Sequence, residues 1–355
     1  MFRDLEKLPG SSHLHRWADW AELLCIFDGS VSAPNLGSEI ERRQDSIHVE
    51  VDDDPEPGNP PPEPLKTPFE SQAEFNDAVT QRANDTFALL AARAQDFGDS
   101  YPFALDASGR RLKLKPLRPD RAVYAFLLAC SSFRYIATKQ LQTEYAARFE
   151  WLALQVFRAQ LPLSAEAHIF GATPYPGSRY NSGLKERIKS LAKDIREEVL
   201  VDLDKNFPSD SGDNGLDLVA WQPMTDKAAG LSVAFGQCAC TPQWVGKQHS
   251  SSRAAWNPVF RFTVAPVNYC FIPFDFRDTD GDWYMRVSVQ ESVVMDRRRF
   301  MASLEHIIDS DGNVNFDADV ALQVNVDDIL TALKTYDWPS DESSHSSPVS
   351  TQVPA

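Results

Sequence analysis

Two oxygen-bearing side chains lie twenty residues apart in the most informative part of the sequence. Asp217 is in a short apolar run at residues 216–221, behind the two glycines of residues 212–215. Gln237 lies in a second apolar run at residues 231–239. If both runs are strands of one hairpin, the carboxylate and the amide meet at one end, and two hard oxygen donors placed there suit Mg²⁺. Such an ion lowers the pKa of a bound water and stabilises charge on a phosphoryl group, so this pattern predicts phosphoryl chemistry.

Each of these residues also has an ordinary structural explanation. Asp217 could cap a turn or a strand, and Gln237 could be a buried amide whose hydrogen bonds go to the backbone. Asp213, inside the preceding turn, could be a further ligand or simply a turn residue. The glycines of this turn permit a tight bend and the close approach of a nucleic-acid backbone. The residues alone leave these alternatives open.

The elements that carry these residues follow from the spacing of apolar side chains. Stripes at helical spacing predict five helices, at residues 13–28, 71–94, 119–133, 138–160 and 184–200. Short apolar or alternating runs predict strands, at residues 111–115, 216–221, 231–239, 268–276 and 282–294. A closing helix is predicted at residues 296–308, and a loop at residues 169–177. This order predicts an α+β fold, with a helical N-terminal part and a mixed C-terminal half.

Two segments have a composition that is typical of chain outside a folded core. Residues 44–66 combine a run of three aspartates with consecutive prolines, which predicts an acidic, Pro-rich linker. Residues 337–355 are rich in Ser and Pro, which predicts a disordered tail. We therefore expect a helical N-terminal domain over residues 1–136 and a second domain over residues 137–336.

Composition argues against several classes of protein. The chain has 35 Lys and Arg against 51 Asp and Glu, and its net charge of −16 argues against coating nucleic acid or an anionic membrane by charge alone. No apolar run approaches the ~20 residues of a membrane span, and the first residues contain no apolar signal region. The five cysteines are few and without pattern, which predicts reduced thiols and a cytoplasmic protein.

A basic cluster interrupts this acidic composition at residues 109–121. Alternation within it predicts a short strand with one charged face. Such a cluster on an acidic protein is a candidate phosphate-contacting patch, although a solvated strand face has the same composition. The arginines at the start of the closing helix offer a second positive surface. The predicted nucleic-acid contacts are Arg110, Arg111, Lys113, Lys115, Arg297 and Arg298.

The motifs around Asp217 and Gln237 resemble the core of Mrr-type restriction endonucleases, which belong to the PD-(D/E)xK nuclease superfamily. The shared pattern is Gly-Asp-x-Gly-Leu-Asp at residues 212–217, an apolar strand, and Gln-Cys-x at residues 237–239 near the end of the next strand. The resemblance implies a restriction-endonuclease-like mixed sheet flanked by helices. It implies Asp217 as the central metal ligand, Gln237 as the second ligand, and Mg²⁺ or Mn²⁺ as the cofactor.

Two further positions bear on this resemblance. The family places a Glu in the helix before the core, often directly after Phe, and Phe149-Glu150 fits that place, which implies Glu150 as an auxiliary ligand. The family's Lys after Gln-x orients the attacking water and balances charge, but this chain has Ala239 there. Lys247, eight residues further on, is the nearest candidate for that catalytic role.

Shorter motifs resemble uncharacterised proteins of bacterial anti-phage defence islands, at residues 16–20, 167–171 and 295–298. The resemblance implies a metal-dependent DNA endonuclease that acts as an effector in anti-phage defence. The sequence has no Gly-x-x-x-x-Gly-Lys-Ser/Thr phosphate loop, so a partner protein would supply any ATPase or helicase activity. Many nucleases of this fold act as dimers, so the resemblance is also compatible with a homo-oligomer.

Ala239 also favours a function from a different class. Without the family's lysine, the chain could be a catalytically inactive nuclease-like subunit that binds DNA or docks a partner protein. An RNA target is a third alternative, but the sequence shows no aromatic-rich RNA-binding signature.

Overall fold

A computed structural model of the chain describes residues 2–5, 7–9, 13–43, 72–116, 119–171 and 178–304. The predicted linker, the predicted tail and the last residues of the predicted closing helix lie outside these ranges. Within them the protein is α+β, with a helical N-terminal region and a mixed sheet flanked by helices, which confirms the predicted fold class. No helix in the described ranges combines the length and the apolar composition that crossing a membrane requires.

Helices make up most of the N-terminal region. They are α1 (Leu14–Asp28), α2 (Ala33–Arg43), α3 (Gln72–Phe97), α4 (Pro119–Ser131) and α5 (Lys139–Ala159). All except α2 correspond to predicted helices. Helix α2 has no counterpart among them because a proline and a glycine interrupt its apolar spacing. Helix α5 begins where Thr138 accepts a hydrogen bond from the Leu141 amide at 3.3 Å, which is a regular N-cap.

A small antiparallel sheet packs among these helices. Its strands are β1 (Ser30–Ser32), β2 (Phe103–Leu105) and β3 (Arg111–Leu114), in the order β1-β3-β2. The predicted alternation is present in β3, where Leu112 is buried and Arg111 and Lys113 are exposed.

The larger sheet has five strands and occupies the C-terminal half. Its strands are β4 (Glu166–Ile169), β6 (Leu218–Trp221), β7 (Val233–Cys238), β9 (Val267–Phe271) and β10 (Val293–Met295). The order is β10-β9-β7-β6-β4, in which β4, β6 and β7 are antiparallel neighbours and β9 and β10 continue in parallel. A separate pair of short strands is β5 (Glu198–Val199) with β8 (Phe260–Arg261).

The helices of the C-terminal half are shorter. They are α6 (Leu184–Ile195), α7 (Leu203–Asn206), α8 (Trp244–Lys247), α9 (Arg253–Trp256) and α10 (Arg297–Leu304). Helix α6 ends before the predicted residue 200 because Arg196 adopts a left-handed backbone with φ 57°. The predicted strand or hairpin at 282–294 is mostly irregular, and only its end joins β10. Strand β4 begins before the predicted loop at 169–177 and was not predicted as a strand.

One hydrophobic core joins α5 to the sheet and to the N-terminal helices. The ring of Phe157 lies 5.1 Å from Tyr269 and 5.6 Å from Phe271, both on β9. Phe149, on the same helix, stacks on Phe300 of α10 at 5.3 Å. This core includes residues from both sides of residue 136. The predicted division into two domains at that point stays a prediction.

A cluster of buried charges ties the N-terminal helices to the C-terminal half. Arg93 on α3 and Arg297 on α10 are both fully buried. Arg93 Nη1 lies 2.8 Å from Asp19 Oδ1 and 2.9 Å from Glu22 Oε1. Arg93 Nε lies 2.9 Å from Asp275 Oδ2, while Arg297 Nη2 lies 2.9 Å from Asp19 Oδ2. Helices α1, α3 and α10 therefore meet through paired charges.

The burial of Arg297 corrects the prediction that this residue contacts nucleic acid. Its guanidinium is surrounded by protein carboxylates and by the Pro273 carbonyl at 2.9 Å, so it is not accessible to a phosphate. Arg298 is half-buried and pairs with Asp275 at 3.2 Å and with Asp96. Its charge is also compensated within the protein.

The two carboxyl groups on α1 respond differently to burial. Burial alone would raise the pKa of Asp19, but the charges of Arg297 and Arg93 outweigh it and hold that pKa well below its usual range. At Glu22 burial dominates over the same two arginines and raises the pKa. The stability of this cluster therefore depends on keeping both guanidinium groups.

We expect Arg297→Met to destabilise the protein by about 3–5 kcal/mol, because it breaks a buried ion pair and leaves the two buried carboxyl groups of α1 to share the guanidinium of Arg93. Urea denaturation measures the loss. The matched control is Arg299→Met, an exposed arginine on the same helix, with an expected loss of about 1 kcal/mol or less. Equal losses in the two variants would contradict the importance assigned to the buried cluster.

Candidate active site

Asp217 and Gln237 meet at one end of the β6–β7 hairpin. The Asp217 amide donates to the Gly236 carbonyl at 3.0 Å, which aligns the two segments just before β6 begins. Asp217 Oδ2 accepts hydrogen bonds from Gln237 Nε2 at 2.5 Å and from the Cys238 amide at 2.6 Å. Asp217 is therefore held through one carboxylate oxygen.

Glu150 on α5 adds a second carboxylate to this place. A Cβ built on Gly171 would lie 3.0 Å from Glu150 Oε2 and 3.5 Å from Asp217 Oδ1. Both oxygens therefore border the same space over Gly171, which only a residue without a side chain leaves open. The structure thus brings together three residues that are far apart in the sequence.

Two buried oxygens at this site accept no hydrogen bond from any residue that the structure describes. They are Glu150 Oε2 and Gln237 Oε1. A buried acceptor without a donor costs free energy, and a bound ion is one way in which a protein satisfies such atoms. Carboxylate and amide oxygens are the ligands that Mg²⁺ prefers in proteins. The donor set therefore fits the cofactor that the sequence implies.

Burial controls the charge state of the two carboxyl groups. It raises the pKa of Asp217 to about 7, with a smaller contribution from the negative charge of Asp213. The hydrogen bond from the Cys238 amide and the charge of Lys247 act in the opposite direction. Burial, followed by the charge of Asp217, also raises the pKa of Glu150 well above its usual range. A cation between these groups would favour their charged forms.

Lys247 and Ala239 occupy contrasting environments. Ala239 is buried just after β7, where its amide donates to the Phe271 carbonyl at 2.9 Å. It packs against Trp244 in an apolar cluster, so this position holds no charge near the carboxylates. Lys247, at the end of α8, is exposed, and its positive charge acts on Asp217. Lys247 therefore brings a positive charge to the side of the site that Ala239 leaves without one.

The turn before β6 requires its second glycine. Gly215 has φ +74°, a conformation that L side chains rarely adopt, and a Cβ there would lie 2.4 Å from Ser250 Cβ. The same Cβ would lie 3.4 Å from Gln237 Oε1. The turn is stabilised by a hydrogen bond from the Gly215 amide to Asp213 Oδ1 at 2.8 Å. Asp213 therefore has a turn role, and its charge also reaches both carboxyl groups of the site.

Sequence reasoning missed two residues beside the site, Gly171 and Arg187. Gly171 lies in the segment predicted as a loop and ends the motif at residues 167–171, but the sequence predicted no role for it in the site. Arg187 is buried on α6, among the apolar residues Leu184, Ile188 and Leu191. A lone arginine on the apolar stripe of a predicted helix is the signal that could have found it.

The predicted basic surface lies on a different element from these carboxylates. Arg110, Arg111 and Lys113 are exposed on or next to β3, in the small sheet, and Lys115 is half-buried. They present a positive face to solvent, and their binding to DNA stays a prediction.

No group of three or more His, Cys, Asp or Glu side chains in the described part of the chain is arranged to hold a metal ion. The set at this site is two carboxylates and an amide. Comparisons with family models, with curated proteins and with solved structures found no match for the chain. The resemblance to PD-(D/E)xK nucleases stays a prediction, and the functional argument depends on the contacts described above.

We expect Asp217→Asn to stabilise the metal-free protein at pH 8 more than at pH 4. The folded-state pKa of about 7 exceeds the ordinary value of 3.8, so wild-type stability is lost as pH rises through this interval. The asparagine does not titrate, and the expected gain at pH 8 is about 1–3 kcal/mol.

Urea denaturation in EDTA at the two pH values measures this difference. Asp77→Asn is the control, an equivalent change at an exposed position on α3. A gain that is the same at both pH values would show that Asp217 is not buried in the way described.

Proposed function

We propose that this protein is a metal-dependent phosphodiesterase that hydrolyses DNA, with Glu150, Asp217 and Gln237 as the ligands of a Mg²⁺ or Mn²⁺ ion. The observation that carries the proposal is a pair of buried oxygens, Glu150 Oε2 and Gln237 Oε1, that lie beside the Asp217 carboxylate and have no hydrogen-bond partner among the described residues. When bound, the ion would supply stabilisation of the negative charge that develops on a phosphoryl group.

The protein's own residues have separate tasks in this proposal. Gln237 Nε2 and the Cys238 amide hold Asp217 Oδ2, which leaves Asp217 Oδ1 directed toward the space over Gly171. Glu150 supplies the second negative charge from α5. Two carboxylates in a desolvated place disfavour their own charged forms, and a divalent cation bound between them would compensate both charges.

Lys247 is the candidate for balancing charge on the substrate. It is exposed, so its ammonium group is accessible to a phosphodiester, and its charge already acts on Asp217. A positive group placed where negative charge develops stabilises a transition state without reorganisation. We propose that Lys247 takes the role that Ala239 cannot perform.

The target and the biological setting rest on the sequence resemblance. We propose DNA as the target and bacterial anti-phage defence in the cytoplasm as the setting, with a partner protein supplying ATPase or helicase activity. The net charge of −16 opposes DNA binding, so contact requires a local positive surface or a partner. The exposed residues Arg110, Arg111 and Lys113 are the local candidates on the described surface.

A second candidate function is favoured by the burial of Ala239 in an apolar cluster. The protein would then be a catalytically inactive nuclease-like subunit that binds DNA or docks a partner. This alternative predicts no cleavage of any form of DNA by the wild-type protein in Mg²⁺ or Mn²⁺, and no heat on titration with Mn²⁺.

The test of the first proposal is nicking of supercoiled plasmid DNA by the purified protein in Mg²⁺ or Mn²⁺. We expect Asp217→Asn to abolish both nicking and Mn²⁺ binding by calorimetry, because it removes one of two carboxylate charges at the site. The variant should unfold at a temperature no lower than wild type in EDTA. Asp77→Asn should cleave normally, and wild-type nicking by Asp217→Asn would remove this site from consideration.

A separate experiment addresses Lys247. We expect Lys247→Ala to lower the rate of plasmid cleavage by about 100-fold or more, as loss of a charge-stabilising group does at comparable sites. Affinity for Mn²⁺ should change little, because the lysine is not a ligand. The control is Lys227→Ala, at another exposed lysine. Cleavage at the same rate in both variants would exclude Lys247 from the chemistry.

A further inference from the structure

Three carbonyl oxygens on two separate segments are held by one buried side chain, Arg187 of α6. Its Nη1 donates to the carbonyls of Phe170 and Gly171, the latter at 2.7 Å. Its Nη2 donates to the carbonyl of Gly212. The guanidinium also lies over the ring of Phe170, 5.2 Å from the centroid. One side chain thus connects the end of β4 to the turn that precedes β6.

Both connected segments border the candidate metal site. The amides of Phe170 and Gly171 donate to the Asp217 carbonyl at 2.7 and 3.0 Å. Gly171 also faces the space between Glu150 Oε2 and Asp217 Oδ1. Gly212 begins the turn that leads to Asp217. The backbone on either side of the site is therefore fixed by Arg187.

The environment of Arg187 is unusual for a purely structural arginine. The residue is only 5% exposed, and within the described residues its guanidinium forms no ion pair. Its Nε atom is buried and has no hydrogen-bond partner in the part of the chain that the structure describes. Burying a charged group without an ion pair is unfavourable, so its retention needs another explanation. Asp213 and Asp210 are the negative groups whose charges act on it.

We infer that Arg187 is a positioning residue for the metal site, and this inference rests on the proposed function. By holding Gly171 and Gly212 in place, it fixes the backbone on either side of Asp217 and the position of Gly171 beside the Glu150 carboxylate. The planar guanidinium donates to the carbonyls of Phe170 and Gly171 through one nitrogen and to that of Gly212 through another. A lysine ammonium is a single point of charge on a flexible chain and does not reproduce this geometry. The geometry of the fork, rather than the charge alone, is therefore required.

The test is Mn²⁺ titration of the full chain by calorimetry, without DNA, for wild type and Arg187→Lys. Because the lysine keeps the charge and removes the fork, we expect the Kd for Mn²⁺ to rise about 10-fold or more, as for other residues that orient metal ligands. In the cleavage assay kcat should fall while KM for DNA stays unchanged. The matched control is Arg196→Lys, at the C-terminal end of α6, whose guanidinium also donates to two carbonyls, those of Met224 and Ala228.

The outcomes separate this inference from the proposed function. Wild-type Mn²⁺ affinity in folded Arg187→Lys, with binding lost in Asp217→Asn, would overturn the role of Arg187 and leave the metal site standing. No Mn²⁺ binding by the wild-type protein would overturn both. If Arg187→Lys does not fold, the same Mn²⁺ titration is done with Arg187→Gln, and its affinity for Mn²⁺ is calculated for the folded fraction. A purely structural role would lower the unfolding temperature without changing that affinity.

Discussion

The pairing of two buried arginines with the carboxylates of α1 is the interaction on which the remaining structure depends. Arg93 and Arg297 bring α3 and α10 against Asp19 and Glu22, and no part of this cluster is solvated. Helix α10 then places Phe300 against Phe149 of α5, the residue that precedes Glu150. The position of one candidate ligand is therefore linked, through a stacked pair of rings, to a set of charges on other helices. Buried ion pairs contribute little net stability, but they disfavour arrangements in which a partner is missing.

The candidate site differs from the arginine cluster in how its carboxylates are compensated. In the arginine cluster each carboxylate has a cation in contact, whereas at the candidate site the charge of Asp217 acts on Glu150 and the charge of Lys247 acts on Asp217. The arginines lower the pKa of Asp19 while burial raises that of Glu22, and at the candidate site burial raises the pKa of both carboxyl groups. The buried charges are paired in the arginine cluster but not at the candidate site. Strongly shifted pKa values of this kind are common at functional sites.

The glycines and Arg187 show how the backbone supports this arrangement. Gly171 leaves the space between the carboxylates open, and Gly215 permits the left-handed turn beside Gln237. Arg187 connects the two segments that contain Gly171 and Gly212. The pairing of β6 with β7 brings Asp217 to Gln237, and the glycines and Arg187 hold the backbone around these two residues. Lys247 lies at the exposed end of α8 and Ala239 lies in the core, which separates the positive charge from the strand that carries Gln237.

The sequence by itself determined the local elements and one part of the site. Apolar spacing identified α1, α3, α4 and α5, and the two short runs identified β6 and β7, whose pairing brings Asp217 to Gln237. The positions of helices and of hairpin strands depend on residues that are close in the chain, so a periodic pattern of apolar residues predicts them. The burial of Arg297 was not predicted, because three consecutive arginines after an aspartate have the pattern of a solvated helix start. Only the tertiary structure brings Arg297 to Asp19, 278 residues away, and Arg187 to Gly171. Charge compensation joins groups that are distant in sequence, and local spacing does not encode it.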